Sequence, residues 1–286
     1  MTLPVLLVGS VPLDDARAVF RAAARALRPL LRHYPDGETG VRKTWIGWQH
    51  AAFAALPELA PLPAKERDYQ LRPPFALKPE AALATIRFPE LGFAREALAS
   101  YAAFSELKRD GTIPGDARFQ VALPTPWAPV YSFMSYRWQS AMLPLYEKAM
   151  LAELAAIVAA IPGEELAIQW DVATEMSWWE RVYPAPFAAI EDEIIAALAR
   201  LGDAVPAPVE LAYHLCYGSM NNRHWKEPKD LANLVAVANR LAATVRRPIA
   251  WVHMPVPIDR ADDAYFAPLD ELRLAPATTL FLGLVH

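Results

Sequence analysis

The chain has 286 residues, of which 54% are hydrophobic and 21% charged, a globular composition that allows one large domain or two small ones. Its formal charge is −4, from 28 basic and 32 acidic residues without a basic block, so we expect no nucleic-acid partner. The single Cys excludes an internal disulfide and suits a reducing compartment. The start of the chain lacks the charge pattern of a signal peptide, and the longest apolar run is too short for a bilayer. We therefore expect a cytoplasmic protein without a membrane partner.

The first half of the chain predicts strands that alternate with helices. The predicted strands cover residues 4–8, 30–34 and 119–126, and the predicted helices follow Pro12 and cover residues 91–107 and 141–161. Gly9 and Ser10 end the first strand, and the loop after the second carries Asp36 and Glu38 between glycines, which allows close approach to a ligand. A solvated turn is the alternative interpretation of that loop. Residues 56–79 are rich in proline and predict an extended insertion, and Trp127 opens an aromatic loop after the third strand.

The second half continues the alternation with strands at residues 166–173, 210–218, 248–254 and 278–285. In the first of these, Gln169 and Asp171 alternate with apolar residues, and Glu175 follows in the loop. His253 lies at the end of the third.

The strand at residues 210–218 has one large apolar face and one small polar face, which carries His214 and Cys216. These two residues are two positions apart, so both side chains can reach a single ion, and imidazole and thiolate are usual zinc ligands. A tetrahedral site needs two more ligands. The alternative is a structural pair, because Cys is often buried and a His can be satisfied by a backbone carbonyl.

Seven strands that alternate with helices predict a parallel sheet, and polar residues collect at the carboxyl ends of the strands. This distribution favours a (β/α)8 barrel, a single α/β domain over residues 1–286 with its site on the C-terminal face. A doubly wound sheet is the alternative, but no G-x-G-x-x-G opens a helix. Because an eighth strand is missing, we expect open barrel edges that favour self-association.

Three segments resemble the C-terminal catalytic barrel of cobalamin-independent methionine synthase, and the superfamily that it shares with uroporphyrinogen decarboxylase. They are Val8-Gly-Ser-Val-Pro12, Ile168-Gln-Trp-Asp171 and His214-Leu-Cys-Tyr-Gly218. The resemblance implies a zinc ion held by His214 and Cys216, which activates a thiol substrate, and a folate-type methyl donor. It also implies that Gly9, Ser10 and Asp171 bind the amino acid part of the substrate.

The chain departs from that family at several positions. Val172 and Ala173 replace an acidic residue and a proline after Asp171, and His253 stands near the family's carboxylate ligand. The second Cys ligand would lie beyond His286.

These observations lead to three hypotheses. The first is a zinc-dependent methyl- or alkyl-transferase that acts on a small thiol or amino acid-like substrate, with His214, Cys216 and Asp171 as catalytic residues and His253 as a third metal ligand. Its substrate-binding residues would be Gly9, Ser10, Asp36, Glu38, Trp127, Asp171 and Glu175.

The second hypothesis is a metal-free lyase of the uroporphyrinogen decarboxylase type, which would bind carboxylates with Asp171 and arginines. The third is a truncated barrel without catalytic activity.

Overall fold

The computed structural model describes residues 3–63, 72–218 and 224–284. The chain divides into two compact units, Met1–Leu166 and Ala167–His286, and each is described by itself. The prediction of a single domain stays a prediction.

The first unit combines helices with short parallel strands. Its helices are α1 (Ala16–Leu27), α2 (His50–Ala54), α3 (Phe93–Arg109), α4 (Trp127–Phe133) and α5 (Tyr136–Ala160), and its strands are β1 (His33–Pro35), β2 (Leu59–Pro61), β3 (Phe75–Leu77) and β4 (Arg118–Pro124). β1 and β4 are parallel, with Tyr34 in register with Phe119. Single parallel bridges join Val5 to Leu31 and Ser10 to Gly37. The strand predicted at residues 4–8 is therefore a bridge at Val5 only, in a segment that is half-buried or exposed.

The helix that the sequence predicts to open at Pro12 begins instead at Ala16, because Asp15 is its N-cap. The Asp15 carboxylate accepts a hydrogen bond from the backbone N–H of Ala18 at 2.8 Å, which satisfies one of the free donors of the first turn. The apolar stripe of α1 is buried, and Phe20 packs edge-on against Phe104 of α3 with ring centroids 5.7 Å apart.

A buried carboxylate joins α3 to α5. Glu153 of α5 accepts hydrogen bonds from three backbone N–H groups at the start of α3, those of Leu91 (2.6 Å), Gly92 (3.1 Å) and Ala94 (2.6 Å). The first N–H groups of a helix have no partner within the helix, so Glu153 takes the role that a local N-cap residue would have.

The proline-rich segment forms a small antiparallel ribbon of β2 and β3, with Ala60 in register with Ala76. Residues 64–71, in the middle of the predicted insertion, lie outside the described residues.

The second unit contains parallel strands with helices between them. Its strands are β5 (Leu166–Val172), which begins at the unit boundary, β6 (Glu210–Leu215), β7 (Trp251–Pro255) and β8 (Thr279–Gly283), and its helices are α6 (Thr174–Trp179), α7 (Ile190–Asp203), α8 (Ala232–Thr244) and α9 (Asp263–Phe266). β5, β6, β7 and β8 are paired in that order, all parallel. The predicted fold class, an α/β fold of the (β/α)8 type in which parallel strands alternate with helices, is confirmed.

The two faces of β6 differ as the sequence predicts. Leu211, Tyr213 and Leu215 are completely buried, and the Tyr213 hydroxyl donates a hydrogen bond to the Leu198 carbonyl of α7 at 2.9 Å. His214 on the other face stays partly exposed. Across the described ranges, no helix has the length and apolar character that crossing a bilayer requires.

Candidate functional site

Three polar residues of the second unit form one row across adjacent strands. Asp171 of β5 is in register with His214 of β6, and His214 is in register with His253 of β7. Residues in register on neighbouring parallel strands point to the same side of a sheet, so the three side chains share a face. The row lies near the carboxyl ends of the strands, where α/β proteins place their ligands.

Asp171 is held by a chain of hydrogen bonds from the preceding row. The Gln169 side-chain amide donates to Asp171 Oδ1 at 2.9 Å, and the Trp251 indole N–H donates to Gln169 Oε1 at 3.2 Å. Gln169 is completely buried and Asp171 is 7% exposed. A carboxylate oriented in this way has little freedom to turn, which suits a group that positions a ligand.

The imidazoles of His214 and His253 bind each other. Their Nδ1 atoms lie 2.7 Å apart, so one Nδ1–H donates and the other Nδ1 accepts. Burial lowers the pKa of His253 to about 4, and burial together with the nearby His253 lowers the pKa of His214 as well. Both rings are therefore neutral at pH 7. Gly283 of β8 leaves room for the pair, because a Cβ at this position would lie 3.0 Å from His253 Nε2.

Cys216 follows His214 on the same face of the chain and is partly exposed. Its Sγ accepts a hydrogen bond from the Gly218 N–H at 3.2 Å. Burial, with a smaller contribution from the Asp171 charge, raises the pKa of the Cys216 thiol to about 12, so the sulfur carries its proton at neutral pH.

These residues meet only part of what a zinc site requires. Neutral imidazole and thiol are suitable donors, but in the part of the chain that the structure describes no three His, Cys, Asp or Glu residues are placed to hold one ion. Two nitrogen ligands of a tetrahedral zinc lie roughly 3.4 Å apart, whereas His214 and His253 Nδ1 are 2.7 Å apart and share a proton. In this arrangement the two Nδ1 atoms therefore cannot both bind one zinc ion, and the predicted zinc ligands stay a prediction.

A second polar cluster lies in the first unit, in the loop after β1. The Ser10 hydroxyl donates to Glu38 Oε2, the Glu38 N–H donates to Asp36 Oδ1 at 3.0 Å, and Arg42 donates to both Asp36 oxygens at 3.1 and 2.8 Å. Gly9 lies beside the cluster, since a Cβ there would lie 3.9 Å from Glu38 Oε2. The structure thus brings together all four predicted residues of the first strand and the loop.

The backbone of this loop needs an unusual conformation. Gly37 has φ +81° and Glu38 has φ +49°, and a Cβ at Gly37 would meet Val19 Cγ2 at 2.6 Å. Burial raises the pKa of the Glu38 carboxyl, and the Asp36 charge adds to this, while the Ser10 hydroxyl and Arg42 oppose it. Glu38 is therefore a carboxyl group that holds its proton to a higher pH than usual.

The other predicted residues lie in helices that follow strands. Trp127 is in α4, buried and stacked on Tyr131 with ring centroids 5.7 Å apart, and Glu175 is completely buried in the first turn of α6. Arg42 is not among the predicted site residues, because it reaches Asp36 through the 3-10 turn Gly40–Thr44 and no periodic pattern marks it. Gln169 is not among them either, although its spacing of two from Asp171 in a strand is a usable signal.

No protein-family model matches the chain, and no curated protein matches it. Among solved structures, the chain is similar to a protein from Listeria monocytogenes that is provisionally described as a vitamin-B12 independent methionine synthase. The identity is 12% and the TM-score 0.49, over 94% of this chain and 68% of that chain. At these values the likeness assigns no activity to the protein.

Proposed function

We propose that this protein is a methyl- or alkyl-transferase of the methionine synthase type whose acceptor is a small thiol or amino acid-like molecule. The observation that carries the proposal is the row formed by Asp171, His214 and His253, with Cys216 further along the same face. The family resemblance of the segments around Asp171 and His214 supports the same reaction.

The His pair supplies proton transfer without a buried charge. Because one Nδ1–H donates to the other Nδ1, one ring has a free lone pair at Nε2 and the other has an N–H there. A proton accepted at the first Nε2 can pass through the Nδ1–Nδ1 hydrogen bond while the second Nε2 releases one. The low pKa of both rings disfavours a charged imidazolium, and this relay avoids forming one.

In the transfer, the acceptor thiol loses its proton to this relay and its sulfur forms a bond to the methyl carbon. The bond between that carbon and the donor breaks, and the donor leaves with a proton. Asp171, fixed by Gln169, accepts a hydrogen bond from an ammonium group of the acceptor and so orients it.

Zinc is proposed as the cofactor on donor chemistry alone. Zinc would bind with His214, His253 and Cys216, and would supply a thiolate by removing the proton of the bound thiol. Since the two imidazoles are hydrogen-bonded to each other, they would have to separate first. No step above depends on the metal.

The proposal is tested by transfer from 5-methyltetrahydrofolate to homocysteine, with and without added zinc, with the methylated thiol measured by mass spectrometry. We expect turnover by the native chain and a loss of at least about a hundredfold in each site variant, from lost proton transfer in His214→Asn and from lost orientation of the acceptor in Asp171→Asn. Asp263→Asn is the matched control, because Asp263 is an exposed carboxylate in α9.

The zinc content of the same preparations is measured as well, so that turnover can be compared with the amount of bound zinc. Equal turnover in native chain and both site variants would reject the site, and no turnover with any thiol acceptor would reject the transferase. A release of carbon dioxide from a carboxylated substrate that needs Asp171 but no metal would favour the lyase, for which the buried, oriented Asp171 is the supporting observation.

A further inference from the structure

A cavity of about 370 Å³ lies at the amino ends of β7 and β8 in the second unit. Pro248 and Ile249 come just before β7, and Thr278 comes just before β8. The Thr278 hydroxyl donates to the Ile249 carbonyl at 2.8 Å, so the two strand entries are joined. The row of the candidate site lies near the carboxyl ends of the strands, so this cavity is a separate place in the unit. Its volume suits a small organic molecule.

Two arginines line the cavity, and backbone carbonyl groups hold the guanidinium group of each. Arg247 donates to the carbonyls of Val205 and Val209. Arg273 donates to two carbonyls that lie one and three residues earlier in the chain, at 3.2 and 3.1 Å, and its backbone N–H donates to Asn239 Oδ1 at 2.6 Å. A carbonyl is a neutral acceptor, so these contacts orient both guanidinium groups without balancing their charges.

Ion pairs distinguish these two arginines from others of the same unit. Elsewhere in the unit arginines pair with carboxylates: Arg181 with Glu191, Arg240 with Asp192, Arg246 with Asp203, and Arg260 with Asp262. Within the described part of the chain, neither Arg247 nor Arg273 forms such a pair, and no Asp or Glu lines the cavity. The cavity is therefore positively charged in a chain whose formal charge is −4.

Arg247 is also partly withdrawn from water. Its Nε is buried and has no hydrogen-bond partner among the described residues. Burial lowers the pKa of Arg247, although the nearby Tyr213 and Asp203 oppose this. A charge that is withdrawn from water without a counter-ion is unfavourable, so an anion in the cavity would stabilise it.

We propose that this cavity binds the phosphate group of a small phosphomonoester between Arg247 and Arg273. Guanidinium groups match phosphate oxygens with pairs of parallel N–H donors. A phosphate group carries a charge of about −1.5 to −2 at pH 7, which two arginines balance, whereas a single carboxylate would balance only one of them. The apolar lining would contact the carbon part of the ligand, mainly through Pro248, Ile249 and Leu274. The site does not depend on the proposed methyl transfer and is tested without it.

Titration calorimetry with phenyl phosphate, at pH 7 and constant low ionic strength, tests the site. We expect saturable binding to the native chain, weaker binding of inorganic phosphate, which lacks the apolar part, and no binding of phenol, which lacks the charge. Arg273→Gln should weaken the binding of phenyl phosphate by at least about tenfold, because a charged hydrogen-bonding pair is lost. The Arg273 side chain is exposed and contacts only carbonyls near it in the chain, so this variant should fold like the native chain.

A second variant, Ala242→Asp, places a carboxylate in the lining of the cavity and should also abolish binding, because this carboxylate would repel the phosphate and pair with the arginines. Arg181→Gln is the matched control, since Arg181 is an exposed arginine of the same unit that does not line the cavity. It should bind phenyl phosphate like the native chain. The proposal is overturned if the native chain shows no saturable binding, if phenol binds as tightly as phenyl phosphate, or if either cavity variant binds like the native chain. A tenfold loss in Arg181→Gln would place the phosphate elsewhere and overturn it equally.

Discussion

His214 Nδ1 lies 2.7 Å from His253 Nδ1, and the two residues occupy the same register position on adjacent parallel strands. The backbone pairing of β6 and β7 therefore sets the distance between the two rings. A side-chain pair built on two paired strands is held more precisely than one carried by loops.

The low pKa values of this pair predict sensitivity to acid. Because both imidazoles titrate below 6.5 in the folded state, the unfolded chain binds their protons more readily. The free energy of unfolding is therefore highest above pH 6.5, where both imidazoles are neutral in the folded and the unfolded chain. It decreases as the pH falls towards 4, by on the order of 3 kcal/mol for His253 alone. Urea unfolding at pH 7 and pH 4 measures this loss, and His253→Gln should flatten the pH dependence. A variant with the pH dependence of the native chain would show that His253 is not responsible.

Cys216 should react slowly with thiol reagents although it is partly exposed. With a pKa of about 12, only roughly one thiol in ten thousand is ionised at pH 8, and the thiolate is the reactive form. We expect labelling by a disulfide reagent to be at least about a hundredfold slower than in the urea-unfolded chain, because the two thiolate fractions differ by roughly a thousandfold and the greater nucleophilicity of a high-pKa thiolate offsets part of that difference. Labelling of the folded chain at the unfolded rate would contradict the burial of this sulfur.

Two glycines with the same backbone angle separate steric conflict from backbone strain. Gly37 and Gly111 both have φ +81°, but a Cβ at Gly37 would meet Val19 at 2.6 Å, whereas a Cβ at Gly111 would meet nothing within 4 Å. We expect Gly111→Ala to lower the free energy of unfolding by about 1 kcal/mol and Gly37→Ala to lower it by about 2 kcal/mol more. Denaturant unfolding compares them, and equal losses would mean that Val19 moves away without cost.

The Glu153 contact predicts a large effect from a small change. In Glu153→Gln, an amide N–H₂ would face a backbone N–H of α3, so a charged hydrogen bond is lost and a buried donor is left unsatisfied. We expect the free energy of unfolding to fall by about 3 kcal/mol. Glu164→Gln, at an exposed position of the same unit, is the control and should change it by less than about 0.5 kcal/mol. Similar values for the two variants would contradict this role of Glu153.

The sequence predicts side-chain orientation correctly where the alternation of apolar and polar residues identifies the two faces of a strand. The alternation along residues 210–218 placed His214 and Cys216 opposite Leu211 and Tyr213, and the structure has this arrangement. The expectation that His253 lies near His214 came from the family resemblance, because no local pattern fixes how separate strands are aligned with one another. The bond from Arg42 to Asp36 depends on a single 3-10 turn, and the short extent of the first strand depends on pairing, so neither could be predicted.

The cap that Glu153 provides has a consequence for synthesis on the ribosome. The N–H groups that it satisfies belong to residues 59 to 62 positions earlier in the chain. The beginning of α3 therefore leaves the exit tunnel well before its capping carboxylate is translated, and water must satisfy those donors in the meantime. The native start of this helix becomes available only when α5 has emerged and docked, so the nascent chain completes the two helices together.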